Sequence, residues 1–163
     1  MADQVKVTID DAQVSAVFRR LVAAGSDLTP VMAEIAEILA GVVEDAFASQ
    51  ADPATGQKWA DLSPTRIKQR EESGSWPGRL LQVSGQLAAS VDAQHGADFA
   101  IVGSNKVYAG TMHFGAKKGE FGTTSRGAPI PWGDIPARPI FGLSPAGRED
   151  ILEAAMRHIE NAI

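Results

Sequence analysis

Apolar and polar positions change period several times along the chain, and each change marks an expected element. Residues 4–9 alternate Val5, Val7 and Ile9 with Lys6 and Thr8, the two-residue period of a short half-buried strand. Asp10 and Gln13 form a capping box, after which Val14, Val17, Phe18, Leu21 and Val22 recur at helical spacing. That spacing predicts a helix of about four turns ending near Gly25. Thr29 as N-cap and Pro30 in the first helical position open a second, longer helix. Met32, Ile35, Ala36, Leu39, Val42, Val43, Ala46 and Phe47 line one side of it, with Glu34, Glu37, Glu44 and Asp45 opposite. Once Val31 and Ile38 are added, the apolar arc spans about half the circumference, more than one neighbour can cover. This predicts the central helix of the core.

The second half of the chain is more broken. Asp52 to Gly56 is turn chemistry, with Trp59 and Leu62 pinning the loop to the core, and Ser63-Pro64 starts a short polar helix through Glu72. After the breaker cluster 73–78, Leu80 to Leu87 is expected to form a helical turn. Ser90 to Gln94 and Phe99 to Gly103 predict a β-hairpin around His95–Asp98, with Val91, Ala93, Phe99 and Ile101 facing inward. Ser104 or Asn105 caps a short helix over Lys106 to Phe114 that stops at Gly115.

From Gly115 to Asp134 run 20 residues, seven of them Gly or Pro, that support no regular element. Loops longer than about 12–15 residues are uncommon in compact domains unless functional or disordered. Segment 115–134 is therefore expected to be a mobile arm that a partner orders. Ile135 to Gly142 is extended, and Pro136 and Pro139 limit it to an edge strand. Ser144 and Pro145 open a last helix with Ile151, Leu152, Ala155, Met156 and Ile159 on one face. Together these elements predict an α/β (α+β) chain folded as one domain over residues 1–163. A small antiparallel sheet, a long central helix, a C-terminal helix and a long extended loop compose it.

Composition narrows the function classes. Apolar residues at 44% with 21% charged are the balance of a soluble globular protein. No apolar run approaches the roughly 18–20 residues that cross a bilayer, and MADQVKVTID lacks a signal-peptide pattern, so neither membrane insertion nor secretion is expected. The absence of cysteine excludes disulfides, thiolate nucleophiles and Cys-ligated zinc. The net charge of −5 argues against a domain whose main task is to coat nucleic acid. Charge is nevertheless uneven: residues 1–62 carry 4 basic and 10 acidic side chains, residues 103–143 carry 5 and 2. That layout suits head-to-tail contact between copies, or simply a solvated surface.

Catalytic patterns are missing. His95, His113 and His158 are far apart with no ligand spacing, and neither Gly25-Ser26 nor Ser84-Gly85 makes a nucleophile elbow. The glycine and lysine run 115–124 places its lysines before the second glycine, unlike a phosphate loop. Adjacent acidic pairs such as Glu44-Asp45 and Glu149-Asp150 do not face each other on a helix. Two spots remain. His113, Phe114 and Tyr108 concentrate aromatic and titratable groups, as a packed rim or as a ligand site. Arg138, on a proline-stiffened segment, is placed for a bidentate contact, either within the chain or between subunits.

Four short motifs, in order, carry a resemblance. Phe47 with Pro53-x-x-Gly56-x-x-Trp59-x-x-Leu62-Ser63 is followed by Leu81-x-x-Ser84-Gly85-x-Leu87-x-x-Ser90. Val102-Gly103-x(4)-Tyr108-Ala109-x(3)-His113-x-Gly115 and Ile135-Pro136-Ala137-Arg138-Pro139-x-x-Gly142 complete the set. In this the chain resembles, over roughly residues 30–160, the virion morphogenesis or tail-completion family of Mu-like tailed bacteriophages. The resemblance implies a structural, non-catalytic protein without cofactor or metal, built into the virion tail or neck after assembly in the host cytoplasm. Its implied partners are copies of itself, expected as a ring, with tail tube or terminator and head-connector proteins. Tyr108, His113, Phe114, Lys117, Lys118, Arg126 and Arg138 are the expected subunit-interface residues. Two other readings stand beside it: a neck module that meets DNA through Lys117, Lys118 and Arg126, and an enzyme with a pocket near His113 and Arg138.

Overall fold

The long apolar helix organises everything around it. The computed structural model describes residues 12–161; the expected strand over residues 4–9 and Asp10 of the expected capping box lie outside that range. The described residues form α1 (Ala12–Ser26), α2 (Thr29–Ser49), α3 (Pro64–Glu72), β1 (Val91–His95), β2 (Ala100–Ser104), α4 (Ala109–Phe114) and α5 (Pro145–Glu160), with a 3-10 turn at Ala88–Ser90. α2 buries Val31, Ala36, Val42, Val43, Ala46 and Phe47, and packs against both β-strands and against α5. The broad apolar arc is thus used on more than one side, as its width requires. The architecture is one small mixed helix and strand fold with a two-stranded antiparallel sheet.

The ends of α2 set the neighbouring loops. At its start Leu28, not Thr29, is the N-cap, and Thr29 is already helical; Asp27 supplies the capping oxygen, accepting from the Thr29 amide at 3.1 Å. At its end Gln50 adopts a left-handed conformation (φ 53°, ψ 48°) and returns its N–H to the Ala46 carbonyl. The Gln50 carbonyl accepts from the Trp59 amide at 2.9 Å, and its side-chain oxygen from the Leu80 amide at 2.6 Å. Gln82 donates to the Phe47 carbonyl at 2.8 Å. These ties pull residues 80–87 into irregular turns instead of the expected helical turn, with Leu81 at φ 58° and Leu80 and Leu87 both buried. Helical geometry starts only at Ala88.

In the hairpin Ala93 lies opposite Val102 and Gln94 opposite Ile101. Opposed residues share a face, so Val91, Ala93 and Val102 turn toward the core while Phe99 and Ile101 are exposed. Hydrophobicity alone favours Ile101 for the core, and cross-strand pairing overrides it. The helix after the hairpin is shorter than expected, because Ser104 Oγ caps the Lys106 amide and a tight turn precedes Ala109.

α5 begins as expected, with Ser144 Oγ accepting from the Gly147 amide at 2.9 Å. Its inward face differs from the expected one. Gly147 and Ala154 are buried, with Ile151, Ala155 and His158 half-buried, whereas Leu152, Met156 and Ile159 are exposed. A Cβ on Gly147 would come within 2.7 Å of Val42 Cγ2, so the crossing with α2 selects small residues and turns the larger ones outward. α1 behaves similarly: Val17 and Leu21 are half-buried, but Phe18 and Val22 are exposed.

Segment 115–134 folds back on itself instead of staying without pairing. Ala116 and Ile135 exchange backbone hydrogen bonds of 2.9 and 2.8 Å at its base. Further up, Phe121 donates to Ile130, Ile130 to Gly122, and Thr124 to Ala128, each at 2.8 Å. At the base a Cβ on Gly115 (φ +76°) would lie 2.6 Å from the Ile135 carbonyl oxygen; at the tip Gly127 (φ +78°) has open space. Gly127→Ala should therefore lose only the conformational term, about 1 kcal/mol. Gly115→Ala adds overpacking against backbone and should lose about 2–4 kcal/mol, read from denaturant midpoints. Equal losses for the two would refute this account of the arm base.

Candidate functional site

The seven residues singled out from the sequence separate into two groups. Arg138 and His113 face inward. Arg138 is only 5% exposed, and its guanidinium donates to the carbonyls of Ala60 and Asp61 at 2.9 and 3.0 Å. Burial, with nearby Arg70, lowers its pKa below the ordinary value, and Asp61 opposes that. Of the two clamps open from the sequence, the intramolecular one is present. His113 Nδ1 accepts from the Ile140 and Phe141 amides at 3.0 and 3.3 Å, so its ring proton sits on Nε2. Its ring also packs edge-on against Phe114, centroids 4.4 Å apart. Desolvation lowers the His113 pKa below 6.5, against a smaller opposing pull from Asp52.

The other five reach solvent. Tyr108 is partly exposed and Phe114 is 79% exposed at the two ends of α4. Lys117 pairs with Asp134 at 3.1 Å, and the Lys118 amide donates to the same carboxylate, holding it below the usual carboxylate range. Lys118 and Arg126 are exposed, and among the described residues neither side chain forms an ion pair. Sequence reasoning overlooked the apolar content of this arm: Phe121 and Trp132 are exposed, Trp132 by 77%. Large aromatic side chains inside a Gly/Pro-rich loop were the available signal, since such a loop has no core of its own for them to fill.

A groove of about 610 Å³ lies between α3, the turn at Leu81 and Val83, and the base of the arm. Leu62, Leu81, Val83 and Met112 give it an apolar floor, and Arg66 and Arg70 line it from α3. The i, i+4 spacing of these arginines on a polar helix was visible in the sequence, but the facing wall was not. Asp61, Ser63, Ser73 and Asp134 add to its polar lining.

The His113 clamp makes stability depend on pH with a defined sign. Because its folded pKa is depressed, the unfolded chain binds the extra proton as pH falls below 6.5, so stability is complete above that value and declines toward the folded pKa. His113→Asn keeps an acceptor for the two amides without titrating. Wild type should lose thermal stability on acidification through this window while the variant changes less; parallel curves would dismiss the clamp. Arg138→Met strips the Ala60 and Asp61 carbonyls of their donor and should cost about 3 kcal/mol in chemical denaturation.

Comparison with known proteins agrees with the motifs. The phage virion morphogenesis family matches residues 9–160. The chain is 36% identical over 129 residues to the "Putative capsid assembly protein G" of Escherichia phage Mu, covering 79% of this chain and 78% of that protein. It is 31% identical over 150 residues to the "Mu-like prophage FluMu G protein 2" of Haemophilus influenzae (strain ATCC 51907 / DSM 11121 / KW20 / Rd), covering 91% of each. It is 30% identical over 151 residues to the "Mu-like prophage FluMu G protein 1" of the same strain, covering 90% and 89%. No solved structure matches the chain. With nearly its whole length matched, the chain belongs to the phage virion morphogenesis family.

Proposed function

We propose that this chain is a non-catalytic structural protein that completes the tail and joins it to the head during virion assembly. It works as a homo-oligomer, arranged as a ring, and stays in the tail or neck. The observation that carries this reading is the match to the phage virion morphogenesis family across residues 9–160. The capsid-assembly name of the Mu relative supports a role in building the particle.

The surface is consistent with that role. Tyr108 and Phe114 at the ends of α4 and Phe121 and Trp132 on the arm that carries Lys117, Lys118 and Arg126 expose aromatic area, and aromatic residues are enriched at protein contacts. In this reading the five exposed residues of the expected interface meet the neighbour directly. His113 and Arg138 contribute from behind, by holding the extended segment that follows the arm. The arm, already paired along its length, moves as a unit about its Ala116 and Ile135 base in the free chain and is fixed in place by tail or connector proteins.

DNA contact through the arm is a weaker reading. Lys117 is already paired with Asp134, which leaves Lys118 and Arg126 as the arm cations without an ion pair among the described residues. Two phosphate contacts give a salt slope of only about −2.

The test is electron microscopy of a lysate from a prophage in which this gene carries an early stop codon. Filled heads beside separate tails are expected, and complementation by a copy lacking residues 118–133 should fail. Normal joined virions from the stop-codon prophage would overturn the assembly role.

A further inference from the structure

We propose that α5 of one copy of this chain docks in the groove beside α3 of the next copy. The inference rests on the homo-oligomer reading above and names the two surfaces that meet.

The first surface is the stripe that α5 turns away from its own core. Leu152, Met156 and Ile159 recur at i, i+4 and i+7 and are each more than half exposed. They form an apolar ridge about 10 Å long. Glu149, Glu153 and Glu160 border Leu152 and Met156, together with Arg157, whose charge is taken by Glu34 and Glu153. Three large apolar side chains in line make one contiguous apolar stripe rather than scattered exposed residues.

The second surface is complementary in shape and in sign. The 610 Å³ groove has the apolar floor described above and takes its charge from Arg66 and Arg70. Arg66 Nη1 donates to Gln69 at 2.9 Å and Arg70 Nη1 to the Arg79 carbonyl at 3.1 Å, neither of them a carboxylate. Among the described residues neither arginine forms an ion pair. Asp61 and Asp134 also line the groove; Asp134 is taken by Lys117, and Asp61, which forms no ion pair among the described residues, feels the charge of buried Arg138. The cations left over are therefore those of α3. Glu149 and Glu160 likewise form no ion pair among the described residues, while Glu153 is shared with Arg157 at 3.4 Å.

The signs choose the mode of contact. Packing the α5 stripe on its own copy across a two-fold axis would bring the bordering glutamates against one another, which is repulsive. Placing it in the groove sets those glutamates against Arg66 and Arg70. The two surfaces share no residue, so every copy offers both at once. Such a heterologous contact repeats from copy to copy and closes as a ring when the rotation permits.

The full-length protein tests this by light scattering after size exclusion, over a dilution series. The wild type should be oligomeric. Arg66→Glu with Arg70→Glu, and separately Glu149→Lys with Glu160→Lys, should each weaken association at least about tenfold. All four sites are surface positions, and circular dichroism confirms that each variant is folded. Mixing the two variants should restore assembly, because every α5 then finds a groove of opposite sign. A wild type that stays monomeric, variants that assemble like the wild type, or a mixture without rescue would each overturn the docking. Unchanged oligomers combined with DNA binding that the arginine variant abolishes would also overturn it, and would assign the groove to phosphate. The prophage experiment stays independent: separate heads and tails with intact variant oligomers remove the docking alone, and normal virions remove the assembly role alone.

Discussion

Residues 138–142 cross the interior with no regular strand beside them, so their backbone polar groups must be satisfied by side chains and by a helix end. The Arg138 amide donates to the Met112 carbonyl, and the amides of Ile140 and Phe141 to His113 Nδ1. The Pro139 carbonyl accepts from Trp59 Nε1 at 2.7 Å. The Arg138 side chain then reaches back to the loop that follows Trp59. Pro139 carries no amide to satisfy, which removes one demand from the segment. Ile140, fully buried, is the apolar anchor in the middle.

This tie connects parts that α2 alone would not. Phe47 and Trp59 meet edge to face with centroids 5.8 Å apart, so the helix, the turn after it and the crossing segment share one cluster. The arm leaves the fold from one end of that segment, through the Ala116 and Ile135 pair, and α5 starts beyond the other. Rigidity is concentrated here, and the surfaces on either side inherit their position from it. Exposed aromatics on the arm and an exposed stripe on α5 are what an assembly protein offers once its own core is complete.

Much of the helical framework was legible from local chemistry. Ser63-Pro64 and Ser144-Pro145 each joined an N-cap oxygen to a proline in the first turn, and both helices begin there. The width of the α2 arc correctly implied neighbours on more than one side. Where local rules failed, a distant partner had intervened. Leu80 to Leu87 had enough apolar residues for a helical turn, but Gln50 and Phe47 captured their backbone and side chains. Arg138 was visible as a clamp, and its choice between chain and subunit was not, because the accepting carbonyls lie 77 and 78 residues away.

The sequence by itself therefore determined α2, α3 and α5 with their starts, the hairpin and the family motifs, since capping, proline geometry and apolar period act over a few residues. Tertiary structure alone decided which side of each element met the core. On α5 the close approach at Gly147 turned Leu152, Met156 and Ile159 outward, and on β2 the pairing with β1 turned Ile101 outward. An apolar side chain carries the same preference for burial in either place. Whether it is covered by its own chain or left for another depends on backbone distances that no local pattern encodes.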